Sequence, residues 1–206
     1  MVDNGLSGSI APDIGLLEHL EELDLTRNDD LRGSLPPEIG NLRTLVSMNF
    51  SSSGLGGSIP PEIGNLESLT TFRNVSPQFS PGTFTGPIPP EFGNLANLEA
   101  VDFSGNELSG SLPPEFGNLR SLQSLNLQGN ALRGTLPAEF GNLGNLASLR
   151  INGNPMSGLL PVELTGLSLG RFHWHSTHLC VPDDDDFKEW LESIGDHRAG
   201  DACEGG

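Results

Sequence analysis

The sequence predicts an α/β solenoid, a curved spring of stacked coils with a parallel β-sheet on its concave face and a helical cap at its C-terminal end. Three observations predict it. A block of about 24 residues recurs along the chain, leucines hold strand-like positions inside each block, and 27 Gly and 16 Pro return at fixed places in it rather than being scattered. A single coil cannot bury its apolar face, whereas a stack of coils can, so the recurrence itself specifies how the core is made.

The triplets Gly40-Asn41-Leu42, Gly64-Asn65-Leu66, Gly93-Asn94-Leu95, Gly117-Asn118-Leu119 and Gly141-Asn142-Leu143 are spaced by 24, 29, 24 and 24 residues. The cleanest unit, residues 98–121, reads LEAVDFSGNELSGSLPPEFGNLRS, and the next, 122–145, reads LQSLNLQGNALRGTLPAEFGNLGN. Further units start at Leu20, Leu45, Leu69 and Leu146; a fragment precedes them and a half-unit begins at Leu169. Within residues 122–145, Leu122, Leu125 and Leu127 follow LxxLxL, so Leu125 and Leu127 point inward and Asn126 outward. Asn130 stands where the chain leaves the strand, and its amide is suited to bond the backbone of adjacent coils. Asn28, Asn106 and Asn154 match it, with Ser53 and Thr177 as polar substitutes. Leu132 and Leu136 continue the core, and Pro137 and Gly141 set the turns of the convex side. The phase predicts strands near residues 22–26, 47–51, 71–74, 100–104, 124–128, 148–152 and 171–175, a ladder of roughly 35 Å at ~4.8 Å per strand.

This pattern resembles the plant-type leucine-rich repeat, LxxLxLxxNxLxGxIPxxLGxLxx, over about residues 4–180. The resemblance implies a spring with a second short strand at the Leu-x-Gly-x-Ile/Leu-Pro segment. It also implies recognition as the function, as in receptor ectodomains, inhibitors of wall-degrading enzymes and surface proteins of microbes. Fold does not choose among these.

Two regions follow: leucine-rich repeats over 1–179, read as N-terminally truncated with about seven to eight coils, and a cap over 180–206. In the cap, Phe187, Trp190, Leu191 and Ile194 fall at i, i+3, i+4, i+7, an amphipathic helix near residues 184–194. The acidic run 183–186 suits a helix N-terminus and lacks the alternation, central Gly and distant Glu of a calcium loop. The cap is similar to those that follow plant-type repeats in microbial proteins. The chain has two cysteines, Cys180 and Cys203, both in the cap. A disulfide between them is the favoured reading and two free thiols the alternative; no Cys-x-x-Cys pair supports a metal. Such a bond would place the protein in an oxidising compartment, outside the cell or at its surface.

Twenty-seven acids face ten bases, a net charge of −17, and only Lys188 is a lysine. That balance argues against a nucleic-acid partner. No apolar run is long enough to suggest a membrane span. No catalytic constellation or phosphate loop stands out, the convex Glu38, Glu62, Glu91, Glu115 and Glu139 follow the repeat, and neither an enzyme nor a cofactor is expected. His173 and His175 share a strand face, but a zinc site needs a third ligand that the local stretch does not supply. Asn49-Phe50-Ser51 and Asn74-Val75-Ser76 match the glycosylation triplet, a pattern too short to carry an argument.

The expected function is recognition of a protein or peptide partner, or a glycan, through the concave face and the insertion in the fourth repeat. The strand phase places Asp24, Arg73, Asp102, Asn126, Gln128, Arg150, Asn152, Arg171, His173 and His175 on that face. Arg150, Arg171, His173 and His175 should form a basic corner that takes an acidic group, more tightly as the histidines protonate. The insertion, residues 75–83, VSPQFSPGT, leaves a regular scaffold, with Phe79 either at its exposed tip or folded back on the solenoid. The alternatives are the ectodomain fragment of a signalling receptor, or a surface protein binding an ordered surface such as polysaccharide or ice. The varied outward residues disfavour the last.

Overall fold

The computed structural model of the chain describes residues 3–76 and 83–199. Its main sheet has eight parallel strands in chain order: β1 (Glu22–Asp24), β2 (Ser47–Asn49), β3 (Thr71–Arg73), β4 (Ala100–Asp102), β5 (Ser124–Asn126), β6 (Ser148–Arg150), β7 (Arg171–His173) and β8 (Asp196–Arg198). Register is unbroken, so Leu23, Met48, Phe72, Val101, Leu125, Leu149 and Phe172 lie side by side and face the core. Short parallel ladders form beyond the strand ends, among them Thr85–Gly86, Glu107–Gly110 and Ala131–Leu132.

Each strand is three residues long, shorter than the phase predicts. At four of the eight a local bond accompanies the strand end. Asp24, Asn49, Asp102 and Asn126 each turn a side-chain oxygen onto the backbone N–H two residues ahead, at 2.9, 3.1, 3.0 and 3.2 Å. This bends the chain out of the ladder. The buried asparagines then close the bend. The Asn130 amide donates to Phe103 O (2.8 Å) in the preceding coil and to Leu127 O (3.0 Å) in its own, while its oxygen accepts from Leu108 N (3.0 Å). Asn154 repeats the set one coil on.

Behind the sheet, 3₁₀ turns stack coil on coil, including Pro37–Asn41, Pro61–Asn65, Pro90–Asn94, Pro114–Asn118 and Ala138–Asn142. Here the structure corrects the reading of Gly141 and its equivalents. Their backbones are not left-handed; they are glycines because the next coil leaves no room. A Cβ on Gly40, Gly93 or Gly117 would lie 2.4, 2.4 or 2.5 Å from the carbonyl oxygen of Glu62, Glu115 or Glu139. Coils held this close also stack their rings: Phe92, Phe116 and Phe140 follow at 5.4 and 5.7 Å, nearly parallel. Phe72 sits edge-on to Phe103 at 4.7 Å.

At the C-terminal end, helix α1 (Asp185–Ser193) lies over the last 3₁₀ turn, Val162–Gly166. Asp184 caps it, accepting from Phe187 N at 2.7 Å, which gives the acidic run its structural role. Phe187 is buried, and Trp190 donates its indole N–H to Leu167 O at 2.8 Å. The chain then turns at Gly195 and returns as β8 to pair with β7, a strand that the repeat pattern did not announce. Among the described residues, no helix is long and apolar enough to cross a membrane.

Two predictions follow from the coil spacing. Gly117→Ala should destabilise the protein by about 1–3 kcal/mol through overpacking against backbone. Gly166→Ala, one residue past the matching place (Thr165) in the last coil, where a Cβ meets nothing within 4 Å, should change stability by less than about 0.5 kcal/mol. Urea unfolding of both variants checks this, and equal losses would refute the spacing argument. Asn130→Ala, which strips partners from groups in two coils, should cost at least ~2 kcal/mol in the same assay.

Candidate functional site

The open face of the sheet carries two outward rows. The first runs Glu22, Ser47, Thr71, Ala100, Ser124, Ser148, Arg171, Asp196; the second runs Asp24, Asn49, Arg73, Asp102, Asn126, Arg150, His173, Arg198. The middle of the first row is made of small residues, which leaves a floor. The second row alternates groups that end strands with groups that do not. Asp24, Asp102 and Asn126 each spend one oxygen on the strand end, so these candidates carry structural work as well. Gln128 is exposed beyond β5, and Asn152 is buried with its amide 3.3 Å from His175 Nε2.

A cleft of about 590 Å³ opens on this face across β1 to β5. Arg27, Asn49, Ser51, Ser52, Arg73 and Asp102 are among its walls, and Ala100 and Val101 line it as well. Of the residues expected from the sequence, Arg73 and Asp102 meet here. Phe79 lies outside the described residues, as does most of the insertion. Its flank is ordered by Asn74, which is buried and donates to Asn106 Oδ1 at 3.2 Å. An asparagine so engaged is not displayed for glycosylation.

The basic corner needs correction. Arg150, Arg171 and His173 do come together, with His175 beside His173 at a ring distance of 6.0 Å. Strand β8, however, brings its own carboxylate. Arg171 Nε donates to Asp196 Oδ2 at 2.6 Å, and His173 Nε2 lies 2.9 Å from Asp196 Oδ1. The Arg171 bond, seconded by His173, holds the Asp196 carboxyl down to about 2. His175 moves the other way from a proton trap: burial, then the charges of His173 and Arg198, lower its pKa below the ordinary histidine value. Asp196 therefore offsets positive charge in the corner from within, and the lowered pKa of His175 works against its gaining a proton. Arg150 Nε, Asn152 Oδ1 and His175 Nδ1 remain buried without a partner.

Three functional candidates escaped the sequence reading. Asp196 and Arg198 stand one repeat period after Arg171 and His173, a spacing of 25 residues that was the available signal. Arg27 precedes Asn28 where Gly105, Gly129 and Gly153 precede their asparagines, a departure from the pattern visible by alignment.

With this geometry in place, comparison with known proteins gives the family. Residues 89–132 match the family described as Leucine rich repeat, and residues 19–42 and 44–66 match another described as Leucine Rich Repeat. No curated protein matches. Among solved structures, the chain is similar to the ectodomain of the plant membrane receptor kinase GASSHO1/SCHENGEN3 from Arabidopsis thaliana, in complex with CASPARIAN STRIP INTEGRITY FACTOR 2. The identity is 36% and the TM-score 0.82, over 87% of this chain and 21% of that one. The Arabidopsis receptor kinase HAESA, in complex with the peptide hormone IDA and the co-receptor SERK1, is similar at 32% identity and TM-score 0.80, over 95% and 32%. A leucine-rich-repeat protein of Leptospira interrogans follows at 29% and 0.63, over 93% and 51%. The fold and the repeats define a leucine-rich-repeat protein. Its repeats are of the plant type. The chain spans about a fifth to a third of the length of the plant receptor structures, 21% of one and 32% of the other.

The pair at Asp196 predicts a pH signature. A carboxyl depressed in the folded state contributes stability above its unfolded pKa of about 3.9, and that contribution is lost as pH falls toward 2. Asp196→Asn should lower Tm at pH 6–7, with the gap to wild type narrowing from pH 4 and closing near pH 2. Thermal melts by circular dichroism across that range decide it; a gap independent of pH would show that Asp196 acts by packing.

Proposed function

We propose that this chain is a non-catalytic recognition module that holds a protein or peptide partner on the open, concave face of its sheet, outside the cell. One observation carries the reading: the open face presents a cleft of about 590 Å³ over a floor of small residues, flanked by polar side chains. Similarity to receptor ectodomains solved with a peptide hormone or protein factor supports it. A glycan is the alternative ligand. The insertion after β3, with Phe79, is a second contact region.

A second reading is the ectodomain fragment of a signalling receptor, which the similarity to receptor ectodomains supports. An ordered surface fits less well, because neither outward row repeats one residue. The repeats extend to residue 179 and the cap covers 180–206, closed by a Cys180–Cys203 disulfide. No described cysteine is free, which supports the bond, while Cys203 itself lies outside the described residues. The C-terminal cap is of the microbial type.

The test is selection from a random displayed peptide library on the purified protein. Selected peptides should lose binding to Arg73→Ala/Asn126→Ala by about tenfold or more. Glu62→Ala/Glu115→Ala, on the opposite face, should leave binding intact. Peptides indifferent to the sheet variant, or no enrichment at all, would overturn the proposal.

A further inference from the structure

We infer that the cleft over β1 to β4 is a site for acidic side chains of the partner, with Arg27 and Arg73 as the residues that hold the anion. The inference rests on the recognition reading and adds the chemistry of what is recognised.

The second outward row gives the first argument. At Asp24, Asn49 and Asp102 a side-chain oxygen ends the strand by bonding Thr26, Ser51 and Ser104 through both N–H and hydroxyl. The third coil breaks the series with Arg73, which has no oxygen to offer. The bond is supplied from elsewhere: Val75 N donates to Ser51 Oγ of the neighbouring coil at 3.0 Å. Arg73 is thus unnecessary to its own turn and leaves its guanidinium exposed on the cleft.

Arg27 gives the second argument. It has φ +57°, in the left-handed region, where the matching positions are Gly105, Gly129 and Gly153 at +74°, +68° and +68°, and the small Ser52 and Ser176 at +54° and +56°. Glycine takes this conformation freely, and a long side chain takes it at a cost in strain. Here the strained position carries a guanidinium into the same cleft.

Charge gives the third. Arg32, Arg43, Arg171 and Lys188 sit in ion pairs, whereas among the described residues no acid pairs with Arg27, Arg73, Arg120, Arg133, Arg150 or Arg198, and of these six Arg27 and Arg73 line the cleft. On a chain of net charge −17, two unpaired guanidiniums beside the amide of Asn49 and the hydroxyls of Ser51 and Ser52 form a local inversion of sign. Asp102 shares the cleft, but one of its oxygens is engaged by Ser104. A carboxylate flanked by a hydrogen-bond donor, as a glutamate in a peptide backbone is, fits this mixture.

The experiment follows the arginine side-chain N–H resonances by NMR at low ionic strength, where exposed ionic contacts are least screened. The probe is acetylated, amidated tetraglutamate, with tetraglutamine as its neutral control. Tetraglutamate should shift the Arg27 and Arg73 signals saturably and tetraglutamine should not. Arg27→Ala/Arg73→Ala should weaken binding by about tenfold, while Arg120→Ala/Arg133→Ala, away from the cleft, should leave it unchanged. Arg27→Gly separates binding from folding: it relieves the backbone, so it should melt higher than wild type and yet bind tetraglutamate more weakly. Signals of Arg27 and Arg73 that stay still, or move no more than those of Arg120 and Arg133, would overturn the inference. Library peptides that bind the open face in that case would leave recognition standing and remove only the acid preference.

Discussion

The structure depends on the hydrogen bonds of its buried asparagine amides. A chain that turns sharply under a sheet strands backbone N–H and C=O groups away from water, each worth about 1–3 kcal/mol if left unpaired. Asn106, Asn130 and Asn154 each answer an N–H and a pair of carbonyls, and in every case the partners include the preceding coil. The amide therefore ties one turn to the next at strand spacing. Gly93 and Gly117 have no side chain because at that spacing the neighbouring carbonyl occupies its place. The phenylalanines stack because the same translation carries each ring onto the next.

Because one translation relates the coils, the sequence phase translates directly into a surface. Strand side chains alternate, so once Leu125 is known to be buried, Ser124 and Asn126 must be outward, and the same holds in every coil. This is why the rows of the open face were readable from spacing alone. What was not readable lies where a side chain acts on something the period does not encode. The Asp196 pairing depended on the chain returning to the sheet after a helix, and no leucine pattern announces a three-residue strand. The reason for the convex glycines lay in a neighbour 22 residues away or more, not in their own backbone.

Ser53 and Thr177 show how far the amide can be replaced. Ser53 Oγ accepts from Leu55 N at 3.3 Å, and Thr177 uses its hydroxyl twice, toward Trp174 O and from Leu179 N. Among the described residues the Thr177 hydroxyl bonds only its own turn, so the last coil lacks the amide's tie to the preceding one. Ser53 lies just before the insertion, and Thr177 lies in the last coil, where the cap takes over. At both places another element supplies contact: the Asn74–Asn106 bond spans the lengthened coil, and β8 extends the ladder past β7.

The same economy bears on charge. Exposed ion pairs contribute little to stability, typically below about 1 kcal/mol, so the pairs Arg43–Glu67 and Lys188–Asp183 do not explain why a strongly acidic chain retains arginines. Their distribution is more informative. Arg171 is joined to Asp196 across a strand boundary and helps hold the cap's strand on the sheet, a structural use. Arg73 displaces a residue type that ends strands in the neighbouring coils, and Arg27 stands in a conformation that favours glycine. The Arg27 departure costs local strain and the Arg73 one needs a bond supplied by the neighbouring coil, and both put positive charge on one cleft. Residues that work against the fold at a shared surface are better accounted for by what the surface must meet than by what the fold requires.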